Sequence, residues 1–475
     1  MLSASFLRAF NLFITGVFMA FLIPRMVQDG MFMDGELYAA VAHNQANGYG
    51  TFWEPRFSQV GLAGLTTFHE HPPLFFGMQA AWFRLFGSEF WVERAFSFVS
   101  ALLTAWCMVL LWRALVPVGR PERHLGSWAV LLWVIIPTVH WCFHNNMIEN
   151  TMGVFTTAAV LFTVYGMHGH RWIWIGLAAI AVFLASMTKG LPGLFPLAAP
   201  LLLFVTIRQG SLQRAITMSL YMVAMVILCY ALILQWPDAR TNLHTYMDQR
   251  LLHRIASLPT VDDRFATLEM LLNNVLGPMV LSILLIFIAR KGNRSHSTGL
   301  GPAASAMALI GLSGVAPLML TMVQKSFYMA AALPLVAMAF AIWSAPSLVR
   351  IIERWPPEGK VVKVMRILGG VVIVGSLLTS ILLFGSAGRD KQLLQDVGRV
   401  GEVLAPHTKA GIPSEMWNDW SLQTYLMRYH FISLEADQSD AHWYITEKGG
   451  MPIDTSAYSK QDIGLIKLDL WRRAR

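Results

Sequence analysis

The chain has 475 residues, of which 55% are hydrophobic and only 13% charged, about half the charged fraction of a soluble globular protein. That balance, with 26 Met and 17 Trp, excludes an ordinary soluble enzyme and points to a polytopic α-helical membrane protein. The net charge of +8 does not indicate a nucleic-acid partner, because the basic residues sit mostly in short links between apolar runs, where they act as topology signals.

A membrane-crossing helix needs about 20 mostly apolar residues. Such runs are predicted at roughly 8–26, 94–114, 126–143, 148–166, 172–188, 190–207, 215–235, 268–289, 302–323, 327–345 and 364–386, about eleven in all. The first is read as a retained span rather than a cleaved leader, since no small-residue cleavage site precedes Pro24-Arg25. An outer loop, 27–93, follows it. There, Leu37 to Ala46 has the composition of a short helix that Asn47-Gly48 stops. Pro72-Pro73 opens a second helix, with Leu74, Phe75, Met78, Trp82, Leu85 and Phe86 at helical spacing. It is expected to lie in the membrane interface rather than to cross.

The cations then set orientation. Arg113, Arg120 and Arg123 fall in one link, Arg171 in the next on that side, then Arg208 and Arg214, then Arg290, Lys291 and Arg294, then Arg350, Arg354, Lys360 and Lys363. Placing all of them on the cytoplasmic face puts the N-terminus inside and the C-terminus outside. From Arg389 on, charges become frequent. Helices are predicted at 392–404 and 421–428, and strands at 431–434, 442–446 and 464–468, making 387–475 a small α/β domain outside the membrane after a membrane domain at 1–386. No internal repeat is apparent. Cys107, Cys142 and Cys229 lie in or beside apolar runs without metal-ligand spacing, so neither disulfides nor zinc-thiolate chemistry is expected.

Charged groups at a membrane boundary are costly to desolvate and call for a reason. Asp34 follows Met31-Phe32-Met33 and precedes Gly35, which lets backbone approach a ligand closely. A carboxylate there can act as general base towards an acceptor hydroxyl or amine. The competing reading is that Asp34 caps a helix. Glu36, two residues on, would point elsewhere on a helix and reads as structural. His69, Glu70 and His71 form a polar knot suited to phosphate or sugar contacts, to a metal site with a distant ligand, or to solvation of a loop; without a third ligand at defined spacing they are weak evidence for a metal. Lys189 and Lys325 are isolated lysines on the predicted outer face, against the usual bias, which a bound phosphate would explain and snorkelling would explain equally simply. Glu149, beside Asn145 and Asn146, is a candidate for acceptor binding or for pairing with a lysine. Tyr246, Arg250, His253 and Arg254 are weaker candidates, and read better as a solvated loop face.

Four pieces, in order, resemble the GT-C membrane glycosyltransferases, in particular the bacterial relatives of protein O-mannosyltransferases and of lipid A aminoarabinose transferases. Asp34-Gly35-Glu36-Leu37-Tyr38-Ala39 resembles the acidic motif of the first outer loop. Glu70-His71-Pro72-Pro73-Leu74, with Leu85-Phe86-Gly87, resembles the acidic-basic-Pro-Pro segment and its helix. Thr188-Lys189-Gly190 resembles a Thr-Lys-Gly turn, and Lys325-Ser326-Phe327-Tyr328 with Pro334 a late Lys-x-x-Tyr segment. The resemblance runs from Met33 to about Leu335. It implies a polyprenyl-phosphate sugar donor at the outer leaflet of a bacterial cytoplasmic membrane and a lipid, glycan or protein acceptor. It makes Asp34 the catalytic base and gives His71, Lys189, Lys325 and Tyr328 to the donor phosphate, with Glu36, His69, Glu70 and Glu149 nearby. It requires no cofactor and leaves a divalent metal open, which the ligand spacing does not support; no nucleotide-binding motif is present. The chain departs from the family in three places: Gly35 separates two acids that are often adjacent, His71 stands where Lys is common, and Glu149 where many relatives have Asp. A transporter or flippase is the rival class, but it would place its ionisable groups mid-membrane in broken, repeated helices, whereas here they gather at one face.

Overall fold

The computed structural model describes residues 2–62, 66–169, 171–248, 260–290, 299–438, 440–452, 454 and 456–474. The chain opens with α1 (Ala4–Met26), and the first loop carries α2 (Met33–Ala46) and α3 (Leu74–Phe86). α4 (Val92–Leu115) leads into α5 (Gly126–Val134) and α6 (Pro137–His144). Then come α7 (Ile148–Gly169), α8 (Trp172–Lys189), and a 3-10 stretch, Leu191–Ala198, that runs into α9 (Ala199–Ile207). α10 (Leu212–Ile233), α11 (Pro237–Thr245), α12 (Ala266–Arg290), α13 (Gly301–Val315), α14 (Leu333–Ile352) and α15 (Lys360–Leu383) complete the apolar part. The tail holds α16 (Lys391–Val403), α17 (Trp420–His430) and strands β1 (Lys409–Ile412), β2 (Ser433–Ala436), β3 (Trp443–Glu447), β4 (Tyr458–Gln461) and β5 (Leu468–Arg473).

Each apolar run of the sequence becomes helix. Among the described residues nine helices are long and apolar enough to cross a membrane, and the chain is a multi-pass membrane protein. The other two runs are irregular for identifiable reasons. The run at 126–143 breaks into α5 and α6, bent by 76°, where Pro137, with no N–H to give, begins a new helix. The run at 190–207 is short, but eight of its residues are 3-10 and nine are α. At about 2.0 and 1.5 Å per residue these add to roughly 30 Å, close to the hydrocarbon thickness. α3, with 13 residues, is too short to cross.

The chain divides into two compact units. The helical unit comprises Met1–Arg25, Ser97–His144 and Ile148–Leu383. In it α7 packs on α8, and α14 packs on α5, α12 and α13. α14 is the most enclosed, whereas α10 and α15 keep most of their apolar side chains, such as Leu220, Ile227, Ile381 and Leu382, on the outside. An apolar surface of that extent suits lipid rather than water.

The mixed unit comprises Met26–Phe96, Asn145–Met147 and Phe384–Arg475. Its sheet has the order β2-β1-β3-β5-β4. β1 runs parallel to β2 and β3, while β5 is antiparallel to β3 and β4. Leu393, Val397 and Val400 of α16 and Leu422 and Leu426 of α17 close a core with Ile412, Leu434, Ile445 and Leu470 of the sheet. Two strands escape the sequence pattern. β1 (Lys-Ala-Gly-Ile) is buried at three consecutive positions instead of alternating, and β4 (Tyr-Ser-Lys-Gln) is a short polar edge. The strand expected at 464–468 lies further on, as β5. α2 packs against both α3 and α17.

Candidate active site

In the mixed unit, α2 begins at Met33, four residues before the predicted Leu37, so Asp34 lies inside its first turn. Phe32 occupies the N-cap position and makes no side-chain capping bond; Asp34, two residues on, is not the N-cap residue. It remains half-buried, while Glu36 is fully buried, so the two acids diverge as their spacing predicted.

The residues ahead of Asp34 are held one after another. Asp29 bridges to Ala387, its N–H donates to the Ser386 carbonyl at 2.8 Å, and its carboxylate accepts from the Tyr429 hydroxyl at 2.7 Å. The Gly30 carbonyl accepts from Arg94 Nη2 at 2.8 Å. The Met31 N–H donates to the Tyr425 hydroxyl at 3.1 Å. That hydroxyl lies 3.1 Å from the Met31 carbonyl and 3.0 Å from Asp390 Oδ2, so one proton serves two acceptors. The Phe32 N–H donates to Asn145 Oδ1 at 2.7 Å.

Gly35 admits the chain itself rather than a ligand. A Cβ there would sit 1.8 Å from the Asn145 carbonyl oxygen. The turn around Asn145 is tied down further by Asn146, which is in left-handed backbone. Its Nδ2 donates to the Gly35 carbonyl at 3.4 Å, and its Oδ1 accepts from Gln79 of α3 at 2.7 Å. The adjacent-acid pattern is thus broken here by a packing requirement.

His71 is buried, with Nε2 3.1 Å from the Tyr38 hydroxyl, and His69 is buried with Nε2 2.6 Å from Thr67 Oγ1. Glu70, between them, is half-buried. Behind α2 lies a buried charge cluster of Glu36, Glu93, Arg94 and Arg428. Arg428 pairs with Glu93 at 2.9 Å and donates to the carbonyls of Ser88 at 3.1 Å and Glu89 at 3.2 Å. Both carboxyl oxygens of Glu36 lack a hydrogen-bond partner among the described residues. Burial, then the charge of Glu93, pushes the Glu36 carboxyl well above its ordinary value, against the pull of Arg428. His43, one side of which meets Ser88 Oγ at 2.8 Å, is pushed down to about 3 by burial and then by Arg428.

In the helical unit, Glu149 sits in the first turn of α7 and Lys189 ends α8; the two form a buried ion pair. Lys189 Nζ lies 4.5 Å from the centre of the Tyr328 ring and 5.8 Å from that of Phe327, so an aromatic wall faces the cation. Gly190, at φ +79°, ends the helix, and a Cβ there would lie 2.1 Å from the Tyr246 hydroxyl. The other oxygen of Glu149 has no hydrogen-bond partner among the described residues. Glu149 helps line a small cavity with Phe143, Asn150, Gly153, Ala330 and Pro334. Lys325 is exposed. The 3-10 turn after it, Ser326–Met329, is fixed by Ser326, whose Oγ meets Thr138 Oγ1 at 2.6 Å and accepts from Asn274 Nδ2 at 2.9 Å. Arg250, His253 and Arg254, and the topology cations Lys291 and Arg294, lie outside the described residues. Among the described residues no three His, Cys, Asp or Glu side chains are grouped to hold a metal ion.

Sequence reasoning therefore pairs correctly, as one of two options, Glu149 with a lysine. It misses Asp29, Glu93, Arg94, Asp390, Tyr425, Arg428 and Tyr429. One signal was available: Tyr425, Arg428 and Tyr429 recur at i, i+3 and i+4, which puts three polar tips on one helix face once the helix predicted at 421–428 is extended by one residue.

Residues 70–236 match the family model described as dolichyl-phosphate-mannose-protein mannosyltransferase. No curated protein matches the sequence. Solved structures share the fold. ArnT from Cupriavidus metallidurans bound to undecaprenyl phosphate matches with TM-score 0.60 and 14% identity over 98% of this chain and 96% of that chain. The same protein in its apo state gives 0.65 and 13% over 97% of each. The apo oligosaccharyltransferase of Archaeoglobus fulgidus gives 0.52 and 11% over 91% of this chain and 65% of that one.

Proposed function

We propose that this chain, a membrane glycosyltransferase of the GT-C type, moves a sugar from a polyprenyl-phosphate donor to a lipid, glycan or protein acceptor at the outer face of a bacterial cytoplasmic membrane. The observation that carries the reading is Asp34: a half-buried carboxylate in the first turn of α2, placed beyond the N-cap position that Phe32 occupies. Undecaprenyl phosphate in the ArnT structure supports a lipid phosphate as the donor's carrier.

Asp34 takes the proton of an acceptor hydroxyl or amine. The acceptor attacks the anomeric carbon, the bond from that carbon to the phosphate oxygen breaks, and the configuration inverts. The polyprenyl phosphate leaves with the electron pair. Its growing charge calls for cations, a role we give to Lys189 with Tyr328, to Lys325, and to His71, which is a cation only when protonated. Glu149 holds Lys189 in place. Glu36, buried behind α2, supports the helix and does not meet substrate; His69 and Glu70 are left to contacts with the sugar. The chemistry asks no cofactor of these residues. The test is to offer purified protein a panel of polyprenyl-phosphate sugars and follow loss of donor, with Asp34→Asn beside it. Donor loss that Asp34→Asn abolishes supports the reading, and donor loss that it leaves intact removes the base.

A further inference from the structure

We propose that α17 of the tail domain is a positioning element for the transfer reaction, with Tyr425 the residue that sets the backbone leading into Asp34. The proposal rests on Asp34 being the base. The Tyr425 side chain is wholly buried, yet besides Asp390 its hydroxyl meets both backbone groups of Met31, three residues before Asp34. Tyr429, stacked on Tyr425 with ring centres 6.2 Å apart, gives its hydroxyl to Asp29. Arg428, between them, fixes the far end of the same loop through Ser88, Glu89 and Glu93. One helix face therefore grips the loop where it leaves α1 and where it enters α4.

The same helix turns Leu422 and Leu426 into the tail's own core, so α17 cannot shift without disturbing the sheet domain. A buried guanidinium is expensive unless fully hydrogen-bonded. Scaffolding alone could be met by apolar packing. What these three polar side chains add is a fixed position for individual backbone atoms, which is what a general base on a loop needs. Asp390 completes the arrangement by accepting from Tyr425, and it belongs to the tail as well. The tail domain, on this reading, acts on the chemistry through Asp34 without touching the reacting atoms.

The experiment compares full-length protein carrying Tyr425→Phe with the wild type. The ring and its stacking stay, and only the hydroxyl is lost. A displacement of about 1 Å at a reacting group costs on the order of a hundredfold in rate, so kcat should fall by roughly tenfold to a hundredfold, with the donor KM and the melting temperature unchanged. Tyr429→Phe, which frees Asp29, should give a smaller loss with the same split between kcat and KM. Wild-type kcat in both variants beside an inactive Asp34→Asn overturns the positioning role alone. Loss of activity that tracks a lowered melting temperature in both also overturns it, since that is what scaffolding predicts. Full transfer by Asp34→Asn overturns the base assignment instead.

Discussion

Replacing Gly35 by alanine adds one methyl group, and the structure states where it goes: 1.8 Å from the Asn145 carbonyl oxygen. Such a contact does not occur below 3.0 Å, so α2 and the Asn145 turn must part by at least about 1.2 Å. The movement cannot be absorbed by a flexible side chain, because the obstacle is backbone. Asn145 also holds the Phe32 N–H at 2.7 Å and Asn146 holds the Gly35 carbonyl at 3.4 Å, so the same displacement stretches the bonds that fix the start of the helix. Overpacking of this kind costs about 1–3 kcal/mol, and a shift of about 1 Å beside a reacting group costs on the order of a hundredfold in rate. Gly35→Ala should therefore fold with a lowered melting temperature and transfer sugar at least tenfold more slowly, by roughly the same argument. The assay is donor consumption by purified protein, with Gly370→Ala as control. A Cβ at Gly370 meets nothing within 4 Å, so that change should be neutral or mildly stabilising, by up to about 1 kcal/mol of helix propensity. Wild-type rate and melting temperature in Gly35→Ala would refute the packing of the Asn145 turn on α2.

Two further outcomes follow from the buried charges. Glu36 has its carboxyl raised above the ordinary 4.5, first by burial and then by Glu93. A raised carboxyl contributes stability that is complete below the ordinary value and is lost as pH rises through the folded-state value. Glu36→Gln, neutral at every pH, should match the wild type near pH 4.5 and become the more stable of the two as pH rises; melting curves across pH that stay parallel would contradict this. Lys189→Met leaves Glu149 buried without its cation, which costs about 3–5 kcal/mol, and adding Glu149→Gln should recover most of the loss. A double variant no more stable than the single one would mean that the pair is not coupled.

The helical part of the fold was legible because a bilayer imposes both length and composition on whatever crosses it. The bend at Pro137 and the 3-10 stretch Leu191–Ala198, which holds Pro192 and Pro196, required coordinates. Asp34 stood out for the same reason, a charge where desolvation is costly. What surrounds it did not. The apolar Met31-Phe32-Met33 offers no N-cap residue, which hides the true start of α2. Gly35 reads as room for a ligand, because sequence does not show that Asn145 fills the space. The bond between Met31 and Tyr425 joins residues 394 apart, and contacts at such separation leave no local pattern. The spacing of Tyr425, Arg428 and Tyr429 was visible, but without a known surface opposite them it carried no direction.

The central claim is that Asp34 removes the acceptor's proton in a transfer from a polyprenyl-phosphate sugar. Asp34→Asn keeps the shape and one acceptor oxygen and removes the base. With wild-type and variant protein measured side by side, the account predicts that both bind the polyprenyl-phosphate sugar with the same affinity and that only the wild type transfers it. Full transfer by Asp34→Asn would contradict it.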